Sequence, residues 1–116
     1  MNLNEYQELS SRTANTHDNE LINYGLGLTG EAGEVADMIK KSQFHGHDIP
    51  KEEIEKELGD VLWYLSQIAR VSGINLADVA EGNIEKLKRR YPQGFTAEAS
   101  RNRLEETEPE IKTYGG

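Results

Sequence analysis

Two short acidic stretches carry the residues best suited to chemistry, Glu31-Ala32-Gly33-Glu34-Val35 and Glu57-Leu58-Gly59-Asp60-Val61. Both follow the pattern acid-x-Gly-acid-Val. Four carboxylates gathered in one place repel one another, so they must take up protons, spread apart or share a cation. Oxygen ligands in this number favour Mg²⁺ or Mn²⁺ over zinc, and Mg²⁺ is the usual partner of phosphate substrates. The competing account makes them solvated acids beside a core stripe, as on most surface helices. Two copies in identical register weigh against it.

The elements that must hold these acids are helices. An α-helix advances about 100° per residue. With Glu31 at zero, Leu21, Leu28, Ala32, Val35 and Ile39 spread around a stripe centred near roughly 70°, and Glu34 falls about 60° to the other side. With Glu57 at zero, Ile54, Leu58, Val61, Leu65 and Ile68 centre at roughly 60–80°, and Asp60 falls where Glu34 fell. Both helices thus carry acids on the same shoulder of an apolar stripe expected to be buried, and antiparallel packing would let the shoulders meet. Gly33 and Gly59 precede the second acid of each stretch. Glycine inside a helix costs about 1 kcal/mol relative to alanine, so matched glycines point to close approach or room for a ligand.

The chain has 116 residues, enough for one domain with a modest core, at 35% apolar and 29% charged. A net charge of −8 argues against nonspecific binding to nucleic acid or to an anionic membrane. It leaves room for a nucleotide substrate, because a divalent metal can bridge phosphate and carboxylate. There is no cysteine, which excludes disulfides and thiolate metal sites and leans towards a cytoplasmic protein. No apolar run approaches a membrane span, and the polar start MNLNEYQELS does not read as a signal peptide.

A first helix is expected over about residues 2–14, ending near Arg12, and a second from about Asn19 to Gln43, capped by Asp18 or Thr16. Gly25, Gly27 and Gly30 allow a bend there, but their spacing is not that of a phosphate loop and no strand precedes them. Lys40 and Lys41 sit in the last turn, where the helix dipole favours cations; Lys41 is also a candidate phosphate contact. His45 and His47 follow in a glycine-containing loop, a weak metal pattern. Pro50, Glu52 and Glu53 suit the start of a third helix, which Gly73 ends. Trp63 falls on the far side from the apolar stripe, the place for a subunit interface or a base-stacking surface. Tyr64 sits one turn after Asp60 on the acidic shoulder, either as core edge or against a ligand.

Asn75 reads as the N-cap of a fourth helix running to about Arg90, with Leu76, Ala80, Ile84, Leu87 and Tyr91 on its apolar face. Asn83, Lys86 and Arg90 occupy the shoulder that holds acids on the two earlier helices. One shoulder is thus acidic twice and basic once, a distribution suited to a metal with a triphosphate: carboxylates hold the cation while Lys and Arg meet phosphate oxygens. The plainer account is a basic last turn. Phe95 could dock back on the bundle. From Ala97 onward the chain is polar, and a domain over residues 1–104 with a flexible tail over 105–116 is expected, all-α, a four- to five-helix bundle.

These stretches resemble the MazG-like nucleotide pyrophosphohydrolases of the all-α NTP pyrophosphatase superfamily, whose signature is Glu-x-x-Glu, a spacer, then Glu-x-x-Asp. Here it stands as Glu31-Ala-Gly-Glu34, then Glu57-Leu-Gly-Asp60, with residues 35–56 between. The segments 27–35, 57–65 and 83–95 also look like family segments, and the resemblance spans roughly residues 3–103. It implies a helical bundle assembled as a dimer or as a tetramer of paired dimers. It implies Mg²⁺-dependent hydrolysis of nucleoside or deoxynucleoside triphosphates between the α- and β-phosphates, with Mn²⁺ able to substitute. By motif, Glu31, Glu34, Glu57 and Asp60 would be metal ligands, and Glu34 or Glu31 would also position or deprotonate the attacking water. Asn83, Lys86, Arg90 and Lys41 would hold phosphate or sugar, and Tyr64 the nucleoside. Two rivals stand beside this reading, a phosphoribosyl-ATP pyrophosphohydrolase and a non-catalytic module binding metal or nucleotide. A di-iron bundle would want Glu-x-x-His pairs, and none occurs.

Overall fold

A computed structural model describes residues 1–46 and 48–103; the expected tail and His47 lie outside the described residues. Among the described residues five helices follow in order: α1 Leu3–Ser11, α2 Glu20–His45, α3 Lys51–Val71, α4 Leu76–Arg90 and α5 Ala97–Asn102. No strand occurs among the described residues, as expected of an all-α chain. No described helix is long and apolar enough to cross a membrane.

Local chemistry sets the helix ends. Asn2 accepts from the Glu5 backbone N–H at 2.8 Å and donates back to the Glu5 carboxylate, a reciprocal cap that starts α1. Neither Asp18 nor Thr16 caps α2; the His17 ring instead accepts from the Asn19 N–H at 3.1 Å. Gly46 ends α2 at φ 69°, a conformation glycine adopts without steric cost. Pro50 leads into α3 with Glu52 and Glu53 in the first turn. Gly73, at φ 72°, closes α3 in a Schellman turn, with Ile74 N–H on the Ala69 carbonyl and Gly73 N–H on that of Arg70.

The start of α4 corrects a cap. Asn75 makes no side-chain capping bond. Its place is taken from α1: Gln7 accepts from the Leu76 N–H at 2.8 Å, and Asn4 from the Ala77 N–H at 3.1 Å. A residue distant in sequence does what a local cap does, a contribution of about 1 kcal/mol. Gln7 also donates to the Ile74 carbonyl at 2.8 Å, so α1 grips the turn from both sides. The polar segment from Ala97 opens with α5, inside the expected domain, capped by Thr96 accepting from the Ala99 N–H at 3.0 Å.

The α2–α3 pair is the main packing unit, and α1 lies across α3. Its interior is more polar than the apolar stripes imply. Ser66 and Gln67 are fully buried, beside Tyr24, Ala69 and Leu76. The Ser10 hydroxyl meets that of Ser66 at 3.0 Å and accepts from Gln67 Nε2 at 3.0 Å. Arg70 Nε donates to Gln67 Oε1 at 3.0 Å, and Arg70 Nη2 reaches Glu20 at 2.6 Å. Tyr24 donates to the same Glu20 oxygen at 2.8 Å. Arg70 first, then Tyr24, hold the Glu20 carboxyl below its usual pKa.

The stripes are only partly covered. Leu21, Leu28, Val35, Ile54, Val61 and Ile68 are half-buried, but Ile39 is 53% exposed, Leu58 52% and Leu65 43%. Ile84 and Leu87 of α4 are exposed as well. Among the described residues α4 packs mainly against α1 and less against α3. Trp63 is a second correction. It is half-buried, with Nε1 donating to Thr13 Oγ1 at 2.9 Å and to the Ser10 carbonyl at 3.2 Å. The face of α3 opposite its apolar stripe is where α1 packs, so Trp63 is an internal contact within the chain.

Candidate metal centre

Within the pair, Glu20 meets Arg70, the Tyr64 ring lies against Gly27, and Glu31 lies beside Asp60 and Glu57. The helices are therefore antiparallel and keep register. Four residues on from Gly27 is Glu31, and four back from Tyr64 is Asp60. Three further on is Glu34, and three further back is Glu57. The repeated acid-x-Gly-acid spacing thus becomes two successive facing pairs of acids, which is what the shared register implied.

Glu31, Glu57 and Asp60 offer carboxylate oxygens that all lie within 4.8 Å of one another. Glu34 and Glu31 are within hydrogen-bonding reach of Glu57. The Oε2 atoms of Glu31 and Glu57 are buried and have no hydrogen-bond partner. Hydrogen bonding to Glu34, then burial, then Glu31 push the Glu57 carboxyl up to about 7. No lysine or arginine is among the groups acting on it. A buried carboxylate oxygen without a donor is costly, and three acids facing one another make it worse. A divalent cation bound by oxygen ligands removes both penalties, so the donor set fits Mg²⁺ or Mn²⁺ in kind and in number.

The other candidates divide. Tyr64 is half-buried one turn from Asp60, its ring T-shaped to Trp63 at 5.1 Å. Lys41 pairs with Asp37 on its own helix at 2.9 Å, both exposed. Asn83 is exposed and Lys86 half-buried on α4. Arg90 lines a cavity of about 350 Å³ at the α4–α5 end with Arg89, Gln93, Thr96, Asn102 and Arg103, and none of the four acids borders it. The structure thus gathers Glu31, Glu57 and Asp60 in one cluster, while Arg90 borders the cavity at the α4–α5 end.

Tyr6 of α1 is a neighbour that periodicity did not reveal. Burial and then the Asp60 carboxylate raise its hydroxyl above the ordinary tyrosine pKa. Its register beside Leu3 and Leu9 marks only an apolar side, and its nearness to Asp60 depends on how α1 crosses α3.

Residues 16–95 match the MazG nucleotide pyrophosphohydrolase domain. The gene 37 protein of Mycobacterium phage L5 is 34% identical over 82 residues, covering 67% of this chain and 72% of its own length. The uncharacterized protein YvdC of Bacillus subtilis (strain 168) is 32% identical over 74 residues, covering 55% of this chain and 69% of its own. No solved structure matches significantly. The domain match takes in α2, α3, α4 and all four acids, and with it the chain belongs to the MazG nucleotide pyrophosphohydrolase family.

Proposed function

We propose that the protein hydrolyses nucleoside or deoxynucleoside triphosphates between the α- and β-phosphates: water attacks phosphorus, the anhydride bond breaks, and monophosphate and pyrophosphate leave. The observation that carries this reading is the pair of buried, unpartnered oxygens on Glu31 and Glu57 within one cluster of carboxylates. Glu31, Glu34, Glu57 and Asp60 would hold Mg²⁺, with Mn²⁺ able to replace it. The ion, when bound, neutralises charge on the reacting phosphates. Glu34, exposed at the rim of the cluster, or Glu31 orients the attacking water and accepts its proton. Asn83, Lys86, Arg90 and Lys41 meet phosphate or sugar, and Tyr64 walls the nucleoside.

The exposed apolar face supports self-association. Ile22 and Leu26 on α2, 64% and 69% exposed, join Leu58 and Leu65 on α3 in lacking cover. A second copy covers them in a homodimer or homotetramer. The compartment proposed is the cytoplasm, where nucleotides and Mg²⁺ are available. Nucleic acid and membranes are not proposed as partners.

The test is product analysis. The purified protein is incubated with each common nucleoside and deoxynucleoside triphosphate in Mg²⁺ and in EDTA, and the phosphates are resolved. Metal-dependent monophosphate plus pyrophosphate is expected, and the rate ranking names the substrate. Nucleoside diphosphate and phosphate would overturn the bond assignment. No turnover on any of these nucleotides, with Mg²⁺ still raising the Tm, would move the reading to a phosphoribosyl-ATP pyrophosphohydrolase and, if that substrate is also untouched, to a binding module.

A further inference from the structure

Gly27 stands apart from the other glycines around the acids. A Cβ built on it would overlap Cε1 and Cζ of Tyr64 and come within 2.9 Å of Cδ1, whereas one on Gly25, Gly30, Gly33 or Gly59 would meet nothing within 4 Å. The glycines inside the acidic motifs are therefore not sites of close packing within the chain. The close approach of α2 and α3 lies four residues away, about 6 Å along the axis from the Glu31–Asp60 level.

The Tyr64 ring has little freedom to yield. It is T-shaped against Trp63 at 5.1 Å and tilted against Tyr24 at 6.3 Å, and these two are T-shaped to each other at 5.6 Å. Trp63 is tied to α1 by its hydrogen bonds to Ser10 and Thr13. Tyr24 is 5% exposed, its hydroxyl held by Glu20. Three rings on two helices, anchored to a third, thus form a stop against which the Gly27 backbone rests. A methyl group at residue 27 has one main relief, the parting of α2 from α3.

Such a parting acts first on the acids. Two oxygens bound to one Mg²⁺ lie at most about 4.2 Å apart, twice the Mg–O bond length, and Mg²⁺ demands near-ideal octahedral geometry. The candidate ligand oxygens of Glu31, Glu57 and Asp60 all lie within 4.8 Å of one another. Added separation moves them away from what Mg²⁺ accepts. Ca²⁺, with bonds of about 2.3–2.6 Å and flexible geometry, tolerates it better.

We infer that the contact between Gly27 and the Tyr64 ring is a positioning device that sets the α2–α3 spacing and so tunes the acidic cluster to a small divalent cation. This rests on the metal site proposed above. Tyr64 acts here through Glu31, Glu57 and Asp60.

Calorimetric titration of Mg²⁺ and of Ca²⁺ into the full-length protein tests it, alongside the Tm in EDTA. Gly27→Ala weakens Mg²⁺ binding about tenfold or more, the scale on which groups supporting the ligands act, and weakens Ca²⁺ binding less. In Gly27→Ala/Tyr64→Leu the obstructing ring atoms are gone, and Mg²⁺ affinity returns to that of Tyr64→Leu alone. Tyr64→Phe, which keeps the ring, holds Mg²⁺ as the unmodified protein does. Equal losses for both ions, or a loss in the double variant as large as in Gly27→Ala, would overturn the inference. Should Gly27→Ala fail to fold, Tyr64→Leu set against Tyr64→Phe decides: an unchanged Mg²⁺-to-Ca²⁺ preference in Tyr64→Leu overturns it. An unmodified protein that binds neither ion removes the metal site itself, a different failure from a site that binds Mg²⁺ and ignores residue 27.

Discussion

At one end of the α2–α3 pair, Glu20, Tyr24, Gln67 and Arg70 satisfy one another in a closed chain that runs on to Ser10 and Ser66. Further along the same two helices, Glu31 and Glu57 each bury an oxygen that nothing donates to. The contrast lies in which charges were placed where. Arg70 supplies a cation from within the sequence, whereas among Glu57's interacting neighbours only carboxylates are found. The first end is complete as folded. The second is stable only with something added, a proton or a metal ion. Side chains that bury polar groups with partners lock a fold; side chains that bury them without partners at matched depth point to a ligand.

Breaking the second end should cost function and not stability. Glu57→Gln keeps the shape, removes one charge and supplies a donor. Pyrophosphohydrolase activity is expected to fall about 10³-fold, the scale on which a group stabilising transition-state charge acts. The metal-free protein should melt no lower than the unmodified one, and its Mg²⁺-induced Tm shift should shrink or vanish. Steady-state kinetics with melting curves in EDTA and Mg²⁺ read all three. Activity near that of the unmodified protein would remove Glu57 from the metal site.

Breaking the first end should do the reverse. Gln67 is fully buried and bonded to Ser10 and Arg70. Gln67→Ala strips both partners and leaves a cavity, a loss of about 2–4 kcal/mol. Urea unfolding would show it as a lower midpoint at similar slope. The Mg²⁺-induced Tm shift of the remaining folded protein should persist. If Gln67→Ala abolished Mg²⁺ binding while unfolding normally, the two ends would be coupled and the contrast would fail.

The acids of the second end were legible in the sequence because their information is local. Identical spacing in two helices fixes which residues face each other once the helices are antiparallel, and Glu31, Glu57 and Asp60 meet as that register requires. Helix order and the bounds of α3 were legible for the same reason, since Pro50 and Gly73 act within a few residues of themselves. What was not legible depends on the third helix. Trp63 looked outward until α1 covered it, and Asn75 looked like a cap until Gln7 and Asn4 supplied one. Periodicity reports the face on which a residue lies, not which element covers that face. The Gln67 network could not be foreseen either, because a buried glutamine is tolerable only when distant donors and acceptors converge on it.

The smallest effect, and the most specific to the unsatisfied end, is in pH. Glu57 is held at about 7, against 4.5 for an ordinary glutamate, by Glu34, burial and Glu31. A carboxyl whose pKa is raised on folding contributes stability that is fully present below its unfolded pKa and lost as pH rises through the folded one. The metal-free protein should therefore lose stability between about pH 4.5 and about pH 7 through this group, while Glu20, whose pKa is lowered, contributes in the opposite sense on the acid side. A metal ion must displace the proton, so its affinity should climb by up to about tenfold per pH unit towards pH 7 and flatten above it. Titrating Mn²⁺ at a series of pH values reads that slope, and proton release in buffers of different ionisation enthalpy counts the displaced proton. In Glu57→Gln the slope should disappear from this window. In Gln67→Ala it should remain, since that residue belongs to the end that is complete without a metal. A slope unchanged in Glu57→Gln would mean that the proton sits on a different carboxylate of the cluster.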